Sequence, residues 1–209
     1  MKKRLPVTLV VIIILFLSVG STMRNNSDDL HLLLNKKVPA LVAVASNGQR
    51  IDTNYFKGKV TLISFMFIGC PPCMKEAPAL NQLYNEVSSD TLQMLCIAPH
   101  TATQMADYNS DATNRFSLIR KANGVDPIPY LVVPECTVLK EGRAPNMIGP
   151  ECNTLSSQFL VSGYPATLLV DRRGIIRNVY QGFSPDPAYA ARFKARLKVA
   201  IKNAYLPAD

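Results

Sequence analysis

An apolar run from Val60 to Ile68 (VTLISFMFI) leads directly into GCPPCMKEAP, Gly69 to Pro78. An uncharged segment of this length suits a central strand buried on both faces, which requires a sheet covered by helices on either side. From Pro72 to Val87 apolar and polar residues recur with helical period, and Pro72 stands in a first helical turn, where a missing N–H costs nothing. A buried strand, a short turn and a helix opening on Cys70 and Cys73 therefore form the unit around which the rest of the chain must be arranged.

The flanking sequence predicts what surrounds that unit. Val42 to Ala45 and Arg50 to Asp52, joined through Asn47-Gly48, read as a short hairpin. Leu92 to Ala98 reads as a second strand ending at Pro99 and His100, followed by polar helical stretches from about Thr101 to Asn123. Tyr130 to Val133 is a further short strand. Ala166 to Val170 and Ile175 to Tyr180 are strands joined by the turn signal DRRG. From Asp186, Tyr189, Phe193, Leu197, Ile201 and Tyr205 recur every four residues, with Arg192, Lys194, Arg196, Lys198 and Lys202 elsewhere on the wheel, so one helix face packs and a basic face is solvated. This alternation predicts an α/β sandwich of mixed sheet. Its chemistry is expected at the edge where the first helix begins and the second strand ends.

The N-terminus reads as an export signal. Lys2, Lys3 and Arg4 precede an apolar run from Leu5 to Val19, followed by the small residues Gly20 and Ser21. The run is shorter than the ~20 residues that span a hydrocarbon core comfortably, so residues 1–22 are expected to be either a cleaved signal peptide or a retained membrane anchor. Residues 23–37 read as a polar tether and 38–206 as one domain, too short for two ordinary ones. The hydrophobic content of 48% and charged content of 18% are those of a globular chain. Although the formal charge is +8, much of it lies in the export segment and the last helix. Nucleic acid is not an expected partner for an exported chain without stacking or groove-reading motifs.

A cysteine reacts as its thiolate, and Cys70 at a helix N-terminus would have its thiolate stabilised by unsatisfied N–H groups and the positive end of the helix dipole. Cys73, one turn further in, can close a disulfide with it, so that a mixed disulfide formed at Cys70 is resolved within the molecule. A zinc half-site would want a second pair at knuckle spacing, and Cys136 and Cys152 stand far wider apart. A permanent crosslink over so short a loop would gain little entropy.

CPPCMKEAP after a buried strand, with GYPATLLVD (Gly163 to Asp171) before a later one, resembles the thioredoxin superfamily, and more closely the exported TlpA/ResA-like thiol-disulfide oxidoreductases of the AhpC/TSA-redoxin type. The resemblance covers Val38 to Leu206 and implies a thioredoxin-like α/β/α sandwich with a mixed central sheet, the N-terminal β-hairpin and an insertion at about 134–153. It implies Cys70 and Cys73 as the catalytic dithiol. It also implies Pro78 as a helix-kinking proline, and Tyr164 and a cis Pro165 as the substrate-binding turn facing the disulfide. Glu76 matches the family's active-site glutamate and would shuttle the proton of Cys73; the alternative is an acid that complements the helix dipole. The implied partners are protein disulfide substrates, apocytochrome c before haem attachment among them, and a membrane-bound electron donor. The implied location is outside the cytoplasm, in the periplasm or on the outer face of the membrane, with no cofactor and no metal. The chain departs from the family in having Gly69 where a tryptophan usually precedes the first cysteine.

Other readings stay open at this level. Cys136 and Cys152 bracket TVLKEGRAPNMIGPE and form a structural disulfide worth on the order of 3 kcal/mol, or else a second redox relay. Cys96, within an apolar strand, reads as a buried inert thiol. His100 either tunes Cys70, completes a copper site with both thiols as in Sco-like chaperones, or is only a polar loop residue on the surface. A peroxiredoxin-like peroxidase would want Pro and Thr or Ser seven and three residues before its cysteine, where this chain has Ile63 and Phe67.

Overall fold

The computed structural model describes residues 26–136, 152, 154–184 and 186–205. Residues 1–22, read as signal or anchor, and most of the expected insertion lie outside the described residues. Among the described residues no helix is long and apolar enough to cross a membrane.

The run at Val60 does form the central strand. After the hairpin of β1 (Val42–Val44) and β2 (Arg50–Asp52) come β3 (Val60–Phe65), α1 (Pro71–Glu86), β4 (Leu92–Thr101), α2 (Ala102–Asn109), α3 (Arg115–Ala122) and β5 (Leu131–Cys136). The chain ends with α4 (Thr154–Gln158), β6 (Ala166–Val170), β7 (Ile176–Gln181) and α5 (Pro187–Tyr205). The main sheet is five-stranded in the order β5-β4-β3-β6-β7. β3, β4 and β5 run parallel, while β6 and β7 return antiparallel. All of β3 is buried, and its side chains alternate between two cores. Val60 and Leu62 face Met74, Leu80 and Leu83 of α1 and Phe193, Leu197 and Ile201 of α5. Ile63 and Phe65 face Leu30, Phe56 and Phe159. Each such large apolar side chain contributes about 1.5–3 kcal/mol by leaving water, and the two layers make the mixed α/β/α sandwich that the sequence predicts.

Four expectations change in detail. First, part of the stretch read as a tether is docked: Asn26–Leu33 is a 3-10 helix, Leu30 is fully buried, and the Asn35 N–H donates to the Ile176 carbonyl at 2.8 Å. Its spaced leucines supply an apolar edge that the polar composition hides. Second, β4 runs on through Pro99 and His100 to Thr101. The pairing with β5 shifts register between Ala98 and Thr101, and such an irregularity is where a strand tolerates a residue with no N–H. Third, β5 extends through Pro134 to Cys136, so residues 134–136 belong to the sheet rather than to the insertion. Fourth, Tyr205, placed on the packed face of the last helix, is exposed and lies under the Arg172 guanidinium, 4.9 Å from its ring centre.

Cys136 and Cys152 are joined in a disulfide spanning 16 positions. A loop of that length constrains the unfolded chain by roughly 3 kcal/mol. Replacing both cysteines by serine is expected to lower unfolding stability by about that amount in a denaturant titration.

Candidate functional site

Because β3 and β4 are parallel, their C-terminal ends lie together, and the chain leaving β3 turns at once into α1. Gly69 makes the turn with φ +87°, a backbone conformation that a residue with a Cβ adopts only under strain. This accounts locally for a glycine immediately before the first cysteine. Cys70 is the N-cap of α1, and its Sγ accepts the Cys73 N–H at 3.2 Å. Cys70 and Cys73 form a disulfide with Cα atoms 5.2 Å apart, and both are buried, Cys70 at 2% exposure. Pro71 and Pro72 occupy the first helical positions, so the N–H groups nearest the sulfurs belong to Cys73 and Met74. The Met74 N–H is spent on the Cys70 carbonyl, which leaves the Cys73 N–H as the donor aimed at Cys70 Sγ.

β6 delivers the facing turn. Ala166 pairs with Phe65, which sets Pro165 beside the end of β3, and the Tyr164–Pro165 peptide bond is cis. The Tyr164 ring meets Phe67 edge-on, with centroids 5.4 Å apart. The cis-proline turn and the strand end that leads to Cys70 are thus in direct aromatic contact.

Glu76 is not a first-turn acid serving the helix dipole. It lies in the second turn, 2% exposed, and its Oε1 accepts the Thr167 hydroxyl at 2.9 Å. Burial pushes its pKa from 4.5 up to about 8, outweighing the Thr167 hydrogen bond that works downward. Glu76 and Cys73 are three positions apart, on one helix face, so a proton-holding carboxyl is set on the side of α1 that carries Cys73. Sequence reasoning missed Thr167. Its signal was a single hydroxyl within the buried strand ATLLV, a position that needs a polar partner. Cys96 is buried and free, and burial, aided by the nearby Glu76, pushes its thiol up to about 12. It therefore stays protonated.

His100 is neither a polar side chain on the surface nor a ligand in waiting. It is 3% exposed, its Nε2 accepts the Ile68 N–H at 2.8 Å, and its Nδ1 lies 3.3 Å from Gln104 Oε1. That oxygen also accepts the Thr101 N–H at 2.9 Å. An imidazole lone pair committed to Ile68 has none left for copper. Burial depresses the His100 pKa from 6.5 to about 4, so the folded protein holds it neutral. Its contribution to stability is whole above pH 6.5 and is lost as pH falls through about 4. His100→Ala is expected to leave the Ile68 N–H unpaired, at a cost of about 1–3 kcal/mol, and to flatten that acid-side loss in unfolding measured at successive pH values.

The Redoxin family model matches residues 33–193. Thiol-disulfide oxidoreductase ResA of Bacillus cereus is 26% identical over 152 residues, covering 67% of this chain and 88% of the relative. ResA of Bacillus subtilis is 27% identical over 153 residues, covering 66% and 84%. Among solved structures, a thioredoxin-family thiol:disulfide interchange protein from Chlorobium tepidum superposes with a TM-score of 0.52 at 21% identity over 79% of this chain and 95% of that one. A thiol-disulfide isomerase from Corynebacterium glutamicum does so with a TM-score of 0.53 at 16% identity over 82% and 98%. These likenesses, with the sheet order and the Cys-x-x-Cys pair, bear out the expectation of a thioredoxin-like fold and a thiol-disulfide oxidoreductase similar to ResA. The chain belongs to the Redoxin family.

Proposed function

We propose that the protein reduces disulfides in protein substrates outside the cytoplasm, with Cys70 as the attacking thiol and Cys73 as the resolving one. The observation that carries this reading is the Cys70–Cys73 disulfide at the N-terminus of α1, next to a strand end in contact with the cis Tyr164–Pro165 turn. In the reduced enzyme the Cys70 thiolate attacks a substrate disulfide, a mixed disulfide forms, and one substrate sulfur leaves as thiolate. Cys73 then gives up its proton and attacks Cys70 Sγ, which releases the second substrate sulfur and leaves the enzyme oxidised. A dithiol donor, membrane-bound in this reading, returns two electrons and two protons.

Glu76 fits the proton step of this cycle. In the oxidised form its raised pKa keeps the carboxyl protonated at neutral pH, ready to protonate the Cys73 thiolate when the disulfide is cut. In the forward direction the carboxylate takes that proton back, and a pKa near that of a thiol makes the transfer easy in both directions. The extracytoplasmic location rests on the signal-like residues 1–22, and apocytochrome c is a substrate suggested by the ResA-like resemblance.

An equilibrium redox titration with thiol labelling and mass mapping tests the proposal. A reversible Cys70–Cys73 couple more reducing than about −200 mV, with Cys136–Cys152 oxidised throughout, supports a reductase. A pair that does not cycle, or that is protected only by added copper, overturns it.

A further inference from the structure

Another buried acid is linked by hydrogen bonds to the cis-proline turn. Glu135, in β5 next to Cys136, is nearly buried. Its Oε1 accepts the Ser156 backbone N–H, and the Ser156 hydroxyl lies 3.1 and 3.0 Å from its two carboxyl oxygens. The Tyr164 hydroxyl in turn donates to Ser156 Oγ at 3.1 Å. The chain of contacts runs from β5 through α4 to the residue preceding Pro165, and the Tyr164 ring carries it on to Phe67, three positions before Cys70. The Cys136–Cys152 disulfide ties together the two chain segments that supply Glu135 and Ser156.

The direction of these hydrogen bonds depends on the carboxylate. An ionised carboxyl only accepts, so the Ser156 hydroxyl must donate to it, and a Ser156 lone pair is left to accept from Tyr164. An amide or protonated acid at the same place can donate, which lets the serine hydroxyl turn round and withdraw its acceptor from the tyrosine. Burial pushes the Glu135 pKa to about 7 against the pull of these hydrogen bonds. Retaining such a costly group is more than packing alone requires.

We infer that Glu135 is a positioning residue for protein-disulfide reduction, orienting Tyr164 through Ser156 so that the cis-proline turn presents its backbone to the substrate polypeptide. This rests on the functional reading above. A large substrate pairs with the turn and feels its orientation, whereas a small disulfide that reaches only the sulfurs does not.

The test compares wild type, Glu135→Gln, Tyr164→Phe and the double variant, using insulin as the protein disulfide and a small aromatic disulfide as control, with the Cys70–Cys73 potential measured for each. The expected result for Glu135→Gln is a KM for insulin raised about three- to tenfold, the scale of one lost hydrogen bond. Its kcat and its rate with the small disulfide are expected to stay within a factor of two, and its potential is expected to be unchanged. Tyr164→Phe should raise KM similarly, and the double variant should add nothing further. A Glu135→Gln enzyme indistinguishable from wild type, one impaired equally on both substrates, or additive effects in the double variant would overturn the inference while leaving the reductase reading intact. A wild-type protein that reduces neither disulfide removes the reductase reading, and the inference with it. Should Glu135→Gln fail to fold, Tyr164→Phe, which removes one oxygen atom, decides the matter through the same KM comparison.

Discussion

Cys70→Ser is expected to drop turnover of a protein disulfide to the rate of uncatalysed exchange, while Cys73→Ser traps substrate as a mixed disulfide at one equivalent per enzyme. The asymmetry follows from position. Only Cys70 caps α1 and accepts the Cys73 N–H, so its thiolate is the one that the helix terminus stabilises. Without Cys73 the first exchange still runs, but nothing displaces the substrate from Cys70. Mass spectrometry of the quenched reaction checks both variants. A trapped adduct in Cys70→Ser rather than in Cys73→Ser would reverse the assigned roles.

The second large effect belongs to Glu76. Its pKa lies at about 8 in the folded protein against 4.5 for an ordinary glutamate, so the folded chain keeps a proton that the unfolded chain releases between those values. The stability associated with it is whole below pH 4.5 and is lost as pH rises through about 8. Glu76→Gln keeps a partner for the Thr167 hydroxyl and removes the ionisation. It is expected to be more stable than wild type at pH 8.5 by about 2–4 kcal/mol and to show a shallower fall in urea-unfolding stability from pH 5 to 8.5. Glu135, raised to about 7, leaves a residual slope of the same sign. The same substitution should slow the resolving step, as Cys73 loses its proton acceptor. Parallel stability slopes in the two proteins would show that the proton resides elsewhere.

The sheet, the helix after it and the cysteine pair were legible because each rests on a local pattern: an uncharged run, a helical period, prolines at a first turn. Interactions between distant segments were not. Glu76 meets Thr167 across 91 positions, and His100 reaches the Ile68 N–H across 32, so neither partner can be read from spacing along the chain. Leu30 illustrates the same limit. Its immediate neighbours Asp29 and His31 are polar, and its burial is created by Ile176, Phe56 and other residues distant in sequence. Pro99 misled for the opposite reason, since a proline read as a strand end is accommodated where the register with β5 slips.

Both halves of α1 are packed into one core, on either side of a break in its backbone ladder. Near its tail Leu80 and Leu83 are packed into the same core as Leu197 and Ile201 of α5, and Glu86 receives Lys194 at 2.9 Å and Lys198 at 2.6 Å. Between tail and tip stands Pro78, with no N–H to give to the Met74 carbonyl, so the helix lacks a rung just beyond the turn that carries the cysteines. Met74 and Ala77 on one side of the gap and Leu80 and Leu83 on the other lie in the same core, so the place of the turn that carries the cysteines rests on side-chain packing rather than on an unbroken backbone ladder.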